Sequence, residues 1–97
     1  MPTYIILGKY TQKGIENIKD SKKRREDAQK FAESLGGKSK AFYYTLGRYD
    51  FVSIAEFPNN EAMMKQALRQ GSKGSASTET LVAIPAEEVA EVIKELP

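Results

Sequence analysis

The sequence predicts an α+β fold of ferredoxin-like type, with a four-stranded antiparallel sheet, two helices on one face and an added C-terminal helix. Two observations predict it. The β-rich and helical segments follow the order β-α-β-β-α-β, which is the split βαβ arrangement. The 97 residues, of which 40% are apolar, can bury one hydrophobic core and not two. We therefore assign residues 1–97 to a single domain.

The first third of the chain predicts a strand followed by a helix in two pieces. Residues 3–10 are rich in β-branched and aromatic side chains, which favours a strand. From residue 11 to 35 apolar side chains recur at helical spacing, but basic residues interrupt the stripe. We predict a short helical or looped segment over 14–19 and a main helix from Ser21 that the glycine pair 36–37 ends.

A hairpin is predicted in the middle of the chain. Residues 40–46 and 49–57 are two β-rich runs, which we expect to pair as antiparallel neighbours. Gly47 and Arg48 stand between them, and glycine at the first loop position suits a two-residue type II′ turn. Pro58 ends the second run.

The last third predicts a helix, a strand and a second helix. Asn59 or Asn60 can cap a helix that ends near Gly71. We expect its buried side to carry Met63, Met64, Ala67 and Leu68. Residues 78–84 are predicted as a strand and residues 86–96 as a helix. The inward face of that helix is expected to carry Val89, Val92, Ile93 and Leu96.

Both faces of the predicted sheet are apolar. In the third strand Phe51 and Ala55 point one way, whereas Val52 and Ile54 point the other, so neither set suits a solvated face. Two helices cover one side only, and the bare side is large enough to require a partner. A second copy of the chain is the simplest partner. We predict a homodimer packed sheet to sheet and leave a higher oligomer open.

The composition excludes several kinds of site. The chain has no His and no Cys, which removes the usual zinc and haem sites, Ser-His and Cys-His nucleophile pairs and disulfides. No metal and no cofactor are predicted. A net charge of +2 supplies no field that recruits nucleic acid or a membrane. The apolar run 4–7 is too short for a signal peptide or a membrane span, and a cytoplasmic protein is expected.

The hairpin carries a family motif. Residues 42–52, with Gly47, Tyr49 and Asp50 at the turn, resemble the GYD-domain proteins, which take their name from these three residue types. Further matches precede the main helix, start the second helix and lie in the last strand. The resemblance implies a dimeric α+β barrel, in agreement with the bare sheet face. It implies no single activity, because related barrels include cofactor-independent oxygenases, isomerising enzymes and ligand-sensing domains.

Glu56 is the leading candidate for acid-base chemistry. It shares a strand face with Val52 and Ile54, where burial would tune a carboxyl group for proton transfer. Arg25, which interrupts the apolar stripe of the main helix, is its expected counter-charge. A structural ion pair at the sheet-helix or subunit boundary is the competing interpretation.

Residues near the turn are candidates for ligand binding. Tyrosine side chains there can line a cavity and bond a ligand, although aromatic residues near a hairpin also fill dimer interfaces. Asp50 can join them, or it can accept backbone N–H groups beside the turn. The predicted ligand-binding set is Arg25, Tyr44, Tyr49, Asp50 and Glu56. The basic run 22–25 is interpreted as a solvated helix surface, with an anion site as the alternative.

The predicted function is the binding of a small apolar or aromatic molecule between sheet and helices. The alternative is a cofactor-independent enzyme in which Glu56 transfers a proton, and whether the chain is an enzyme stays open. RNA binding is a further hypothesis, because the RNA recognition motif shares the element order and Tyr4 lies where a stacking aromatic belongs. Nucleic acid is disfavoured, since Asp50 stands where that motif has a small residue.

Overall fold

The fold is described from a computed structural model covering Met1–Pro97, in which four strands form one antiparallel sheet. The elements are β1 Thr3–Tyr10, α1 Gln12–Glu16, a 3-10 turn Ile18–Asp20, α2 Ser21–Ser34, β2 Lys38–Tyr44, β3 Phe51–Glu56, α3 Asn60–Lys73, β4 Ala76–Ala83 and α4 Ala86–Lys94. The strand order is β2-β3-β1-β4. Helices α2 and α3 pack on one face of this sheet, which confirms the predicted ferredoxin-like α+β fold.

Local signals predicted the starts of α2 and α3, whereas the first helix begins at Gln12, two residues before the segment predicted over 14–19. The Thr11 hydroxyl accepts a hydrogen bond from the Gly14 N–H and begins α1, and the main helix starts at Ser21 as predicted. The Asn59 side chain accepts from the Ala62 N–H at 2.9 Å and caps α3. Helix α3 runs past the predicted end at Gly71 to Lys73, after which Gly74 takes the left-handed conformation that closes a helix.

The hairpin loop is longer than the predicted two-residue turn. Residues 45–50 connect β2 to β3, and the Thr45 N–H donates to the Asp50 carbonyl at 2.9 Å. The Asp50 carboxylate accepts from the Tyr10 N–H at 2.8 Å, and the Asp50 N–H donates to the Gly8 carbonyl at 2.7 Å. Contacts with β1 therefore end the strand pairing early and take Tyr49 out of the strand.

Alternating residues divide the sheet into two unlike faces. The helix-side face, as we name it, carries Tyr4 and Ile6 of β1 opposite Ala55 and Ser53 of β3. The open face carries the residues between them, so that Ile5 lies opposite Ile54 and Leu7 opposite Val52. The residues of the other two strands on the open face include Ala41, Tyr43, Glu79, Leu81 and Ala83.

The hydrophobic core lies entirely on the helix-side face. Its buried residues are Tyr4, Ala32, Ala55, Phe57, Ala62 and Met63. Only 11 of the 97 residues are buried, which is few for a chain that must hold a sheet with two apolar faces. The prediction that α3 buries Met64 and Leu68 is wrong, because Met64 is 58% exposed and Leu68 is 65% exposed.

Helix α4 does not pack as predicted. Val92, Ile93 and Leu96 were expected to point inward, but each is more than half exposed. The chain is also elongated, with a radius of gyration of 14.9 Å and a longest dimension of 52 Å. A compact chain of this length has a radius of gyration of about 12.5 Å. The apolar stripe of α4 is thus left without a partner within its own chain.

Candidate functional site

A cavity of about 140 Å³ lies between the helix-side face and helices α2 and α3. Half of its lining is apolar, and the polar half comes mainly from α2 and α3. Its volume is close to the roughly 150 Å³ of an apolar protein cavity that holds a benzene molecule. The cavity is therefore of a size for one small ring or a branched chain.

Aromatic rings form the sheet side of the cavity at one end. Phe42 and Phe51 stack with ring centroids 5.2 Å apart, and Tyr10 packs on Phe51 at 5.4 Å. Gly8 makes room for this stack, because a Cβ atom at Gly8 would stand 1.9 Å from the Phe51 Cζ. The missing side chain thus lets the Phe51 ring lie across β1.

Ser21, Arg25 and Tyr44 form a hydrogen-bonded group at the same end, here named the Arg-Tyr cluster. The Arg25 Nε donates to the Tyr44 Oη at 3.1 Å, and the Ser21 Oγ lies 2.9 Å from the same oxygen. The Arg25 guanidinium also stacks on the Phe42 ring, 5.1 Å from its centroid. The bond with Ser21 and then that with Arg25 lower the pKa of the Tyr44 hydroxyl.

Arg24 and Arg25 use their guanidinium groups differently. Arg24 donates from its two terminal nitrogens to the carbonyls of Asn17 and Gly14, at 2.8 and 3.2 Å. These bonds tie the start of α2 to the segment before it. Arg25 donates only from Nε, so both of its terminal nitrogens have no protein acceptor. Arg25 is therefore the arginine of the cavity that can bind another group.

Gln66 of α3 presents an unpaired acceptor. Its Nε2 donates to the Ala28 carbonyl at 3.1 Å, which fixes the orientation of the amide. Its Oε1 is buried and has no hydrogen-bond partner. A buried acceptor without a donor costs about 1–3 kcal/mol, so this oxygen favours a bound donor group.

The charge of the lining is one-sided. Arg24 and Arg25 both line the cavity, and none of its lining residues is an aspartate or a glutamate. Tyr10 lies beside them, and burial first, then the Tyr44 hydroxyl, raises the pKa of its phenol. The cavity is therefore a positively charged, aromatic site.

Only two of the five predicted ligand-binding residues meet at this cavity. Arg25 lines it and Tyr44 bonds to Arg25. Tyr49 lies outside it and donates to the Glu79 Oε2 at 2.6 Å, a bond that raises the pKa of the Tyr49 hydroxyl. Asp50 holds the hairpin to β1 through its bond from Tyr10. The motif residues Tyr49 and Asp50 thus act here on the sheet rather than on the cavity.

The prediction that Arg25 neutralises Glu56 is wrong. Glu56 alternates with Ala55 in β3 and so lies on the open face, where its opposite residues are Thr3 and Lys38. Arg25 stacks on Phe42 on the helix-side face. Since the sheet separates the two side chains, Glu56 has no place in the cavity.

The structure also removes the basis of the RNA hypothesis. Tyr4 is 1% exposed on the helix-side face and donates its hydroxyl to the Asn60 Oδ1 at 2.6 Å. RNA recognition motifs stack bases on aromatic rings of the exposed sheet face. The open face of β1 and β3 instead carries Ile5, Leu7, Val52 and Ile54, which have no ring to stack.

The sequence prediction overlooked Gln66. This residue lies between Met63 and Ala67 on the buried side of α3, and a polar residue inside an apolar stripe is the signal that marks it. Phe42 was quoted only as part of the family motif, although its position two residues from Tyr44 places both rings on one strand face.

The structure contains no group of three or more acidic, His or Cys residues placed to hold a metal ion. None of its helices is both long and apolar enough to cross a membrane.

Comparison with known proteins gives two matches. The profile of the GYD domain matches residues 4–93. A protein of Thermus thermophilus, named glutamine synthetase and cystathionine beta-lyase binding protein, is 36% identical over 97 residues, which are 99% of each chain. No solved structure matches the chain. The similarity therefore extends from the first strand to the last helix.

Proposed function

We propose, from the premise that this chain belongs to the GYD domain family, that it is a homodimeric binding protein that attaches to a metabolic enzyme. The observation that carries this proposal is the relative from Thermus thermophilus, whose name describes it as binding two such enzymes. Because the alignment covers 99% of both chains, every element of this fold has a counterpart in that binding protein. Glutamine synthetase and cystathionine β-lyase are the first partners to test.

The open face supports the homodimer. It is aliphatic at its centre, through Ile5, Leu7, Val52 and Ile54, and no helix of the same chain covers it. Burial of such a face against its copy removes apolar surface from water at about 25 cal/mol per Å². A two-fold axis brings the same patch of both copies together, as a self-complementary aliphatic surface allows.

Two apolar surfaces remain for the enzyme when the open face is closed. Helix α4 exposes Val92 and Ile93, Leu96 is exposed just beyond its end, and helix α3 exposes Met64 and Leu68. Exposed apolar stripes of this kind are typical of protein contacts. The dimer presents each stripe twice, and a symmetric enzyme oligomer can engage both copies at once.

The experiment mixes the purified chain with purified glutamine synthetase or cystathionine β-lyase of the same organism and measures mass by light scattering during size exclusion. A complex with either enzyme supports the proposal. Ile93→Lys on α4 and Leu68→Lys on α3 locate the contact, with Leu46→Lys, at a fully exposed loop position, as the matched control. If neither enzyme forms a complex with the chain at micromolar concentration, the proposed partner class is overturned.

The cavity supports a second function, the binding of a small molecule. Its volume of about 140 Å³ and the unpaired Gln66 Oε1 are the observations that favour it. Native mass spectrometry of the gently purified protein reports both the number of chains and any retained ligand. Two chains with a discrete added mass support the dimer and the cavity function together. A single chain without added mass contradicts both.

A further inference from the structure

We propose that the cavity binds a small organic anion, with a carboxylate group at Arg25 and a flat apolar body between sheet and helices. The inference rests on the proposed small-molecule function and names its ligand class. The lining includes two arginines and no carboxylate, in a chain whose net charge is only +2. Positive charge without a neighbouring carboxylate at the mouth of a partly apolar cavity attracts a negatively charged group.

Arg25 is the group that receives the carboxylate. Its Nε is bonded to Tyr44 and its plane is held against Phe42, so the side chain is fixed before a ligand arrives. Both terminal nitrogens are without a protein acceptor, and they form the donor pair that a carboxylate binds in bidentate fashion.

The walls select the body of the ligand. The stacked pair Phe42 and Phe51 offers a flat surface, and Ala28, Ala55 and Ala67 leave the space opposite it. A cavity of about 140 Å³ accommodates one six-membered ring. The ligand is thus an aromatic or compact branched monocarboxylate, for which benzoate is the simplest probe.

Gln66 adds a requirement at another point of the cavity. Because the Oε1 atom is a buried acceptor without a donor, a ligand hydroxyl or amine that reaches it gains a hydrogen bond and removes an unpaired group. At least one hydroxybenzoate isomer is therefore expected to bind more tightly than benzoate. This gain is expected to disappear in Gln66→Met, which keeps the length of the side chain and removes the acceptor.

The experiment titrates the intact protein with benzoate, benzyl alcohol and benzamidine, which share a ring and differ in charge, and follows binding by NMR chemical shifts. Benzoate is expected to bind most tightly, and its affinity is expected to fall as salt is added. The Arg25→Gln variant is expected to bind benzoate with an affinity lower by about ten- to a hundredfold. Arg48→Gln is the matched control, since Arg48 stacks on Tyr49 outside the cavity and its loss leaves benzoate affinity unchanged.

The outcomes separate this inference from the function on which it rests. If benzyl alcohol or benzamidine binds at the cavity as tightly as benzoate, the anion assignment is overturned while small-molecule binding stands. If none of the probes shifts a cavity resonance, both are overturned. Should Arg25→Gln fail to fold, Tyr44→Phe removes the hydroxyl that fixes Arg25, and a several-fold loss for benzoate alone supports the same assignment.

Discussion

The two faces of this sheet are built from alternating residues of the same strands, yet they are completed in different ways. On the helix-side face, Tyr4 and Phe57 are 1% exposed and touch edge to face, closed over by α2 and α3. On the open face, Leu81 is 43% exposed and Tyr43 is 60% exposed. The chain therefore covers the centre of one face with its own helices and leaves the second face without such a cover.

The largest expected effect is on the helix-side face. Phe57→Ala removes a buried ring from the core and is expected to lower the free energy of unfolding by about 3–5 kcal/mol. Leu46→Ala changes an apolar residue that is fully exposed and is expected to stay within about 0.5 kcal/mol. Urea unfolding at one fixed chain concentration measures both. Equal losses would show that the core lies elsewhere.

The second effect tests how the open face is completed. Ile54→Lys places a charge at the centre of the proposed dimer contact, once from each copy, and is expected to weaken association at least a hundredfold. Val82→Lys is the matched control, since Val82 is an exposed strand residue on the helix-side face, opposite Tyr4. Sedimentation should show a single chain for the first variant and two for the second. The contrast is lost if both variants stay dimeric.

A third, smaller effect concerns the link between the hairpin and β1. Asp50→Ala removes the acceptor of the Tyr10 N–H and is expected to lower the free energy of unfolding by about 1–2 kcal/mol. Asp50→Asn keeps a carbonyl oxygen at the same place, so a smaller loss is expected. Thermal unfolding compares the two variants. If Asp50→Ala unfolds at the same temperature as the parent protein, the Asp50 carboxylate does not stabilise the fold.

The smallest effect is a pH dependence that arises from three tyrosine side chains. Tyr44 has a lowered pKa, whereas the pKa values of Tyr10 and Tyr49 are raised. Of these three tyrosines, Tyr44 should ionise first in an ultraviolet titration, and Tyr44→Phe should remove that step. Since folding lowers its pKa, Tyr44 favours the folded state above the ordinary value of 10.0 and loses this contribution as pH falls. Tyr10 and Tyr49 act in the opposite sense, and their contribution is lost as pH rises through their raised pKa values.

Features that depend on neighbours along the chain were predictable. The element order, the start of α2 at Ser21 and the Asn59 cap all follow from residue types at adjacent positions. The length of the hairpin loop was not, because it is determined by the bond between Asp50 and the backbone of Tyr10 in another strand. Local turn chemistry alone favoured the shorter loop.

The candidate site was only partly predictable for a related reason. Both faces of β3 are apolar, so the sequence does not say which of them the helices cover. That choice decides whether Glu56 meets Arg25, and the structure places them on opposite sides. The apolar stripe of α4 shows the same limit, since Val92 and Ile93 reveal a face that needs cover without identifying the cover.

The Phe51 ring that lies over Gly8 has a consequence for how this family can diverge. A Cβ atom at Gly8 and the present ring at Phe51 would occupy one space, so Gly8 cannot gain a side chain while that ring stays in place. Gly8 and Phe51 are opposite partners in adjacent strands, so the size of one side chain limits the size of the other. In relatives with a side chain at the position of Gly8, a smaller residue is expected at the position of Phe51. Because Phe51 lines the cavity, that change alters the shape of the cavity.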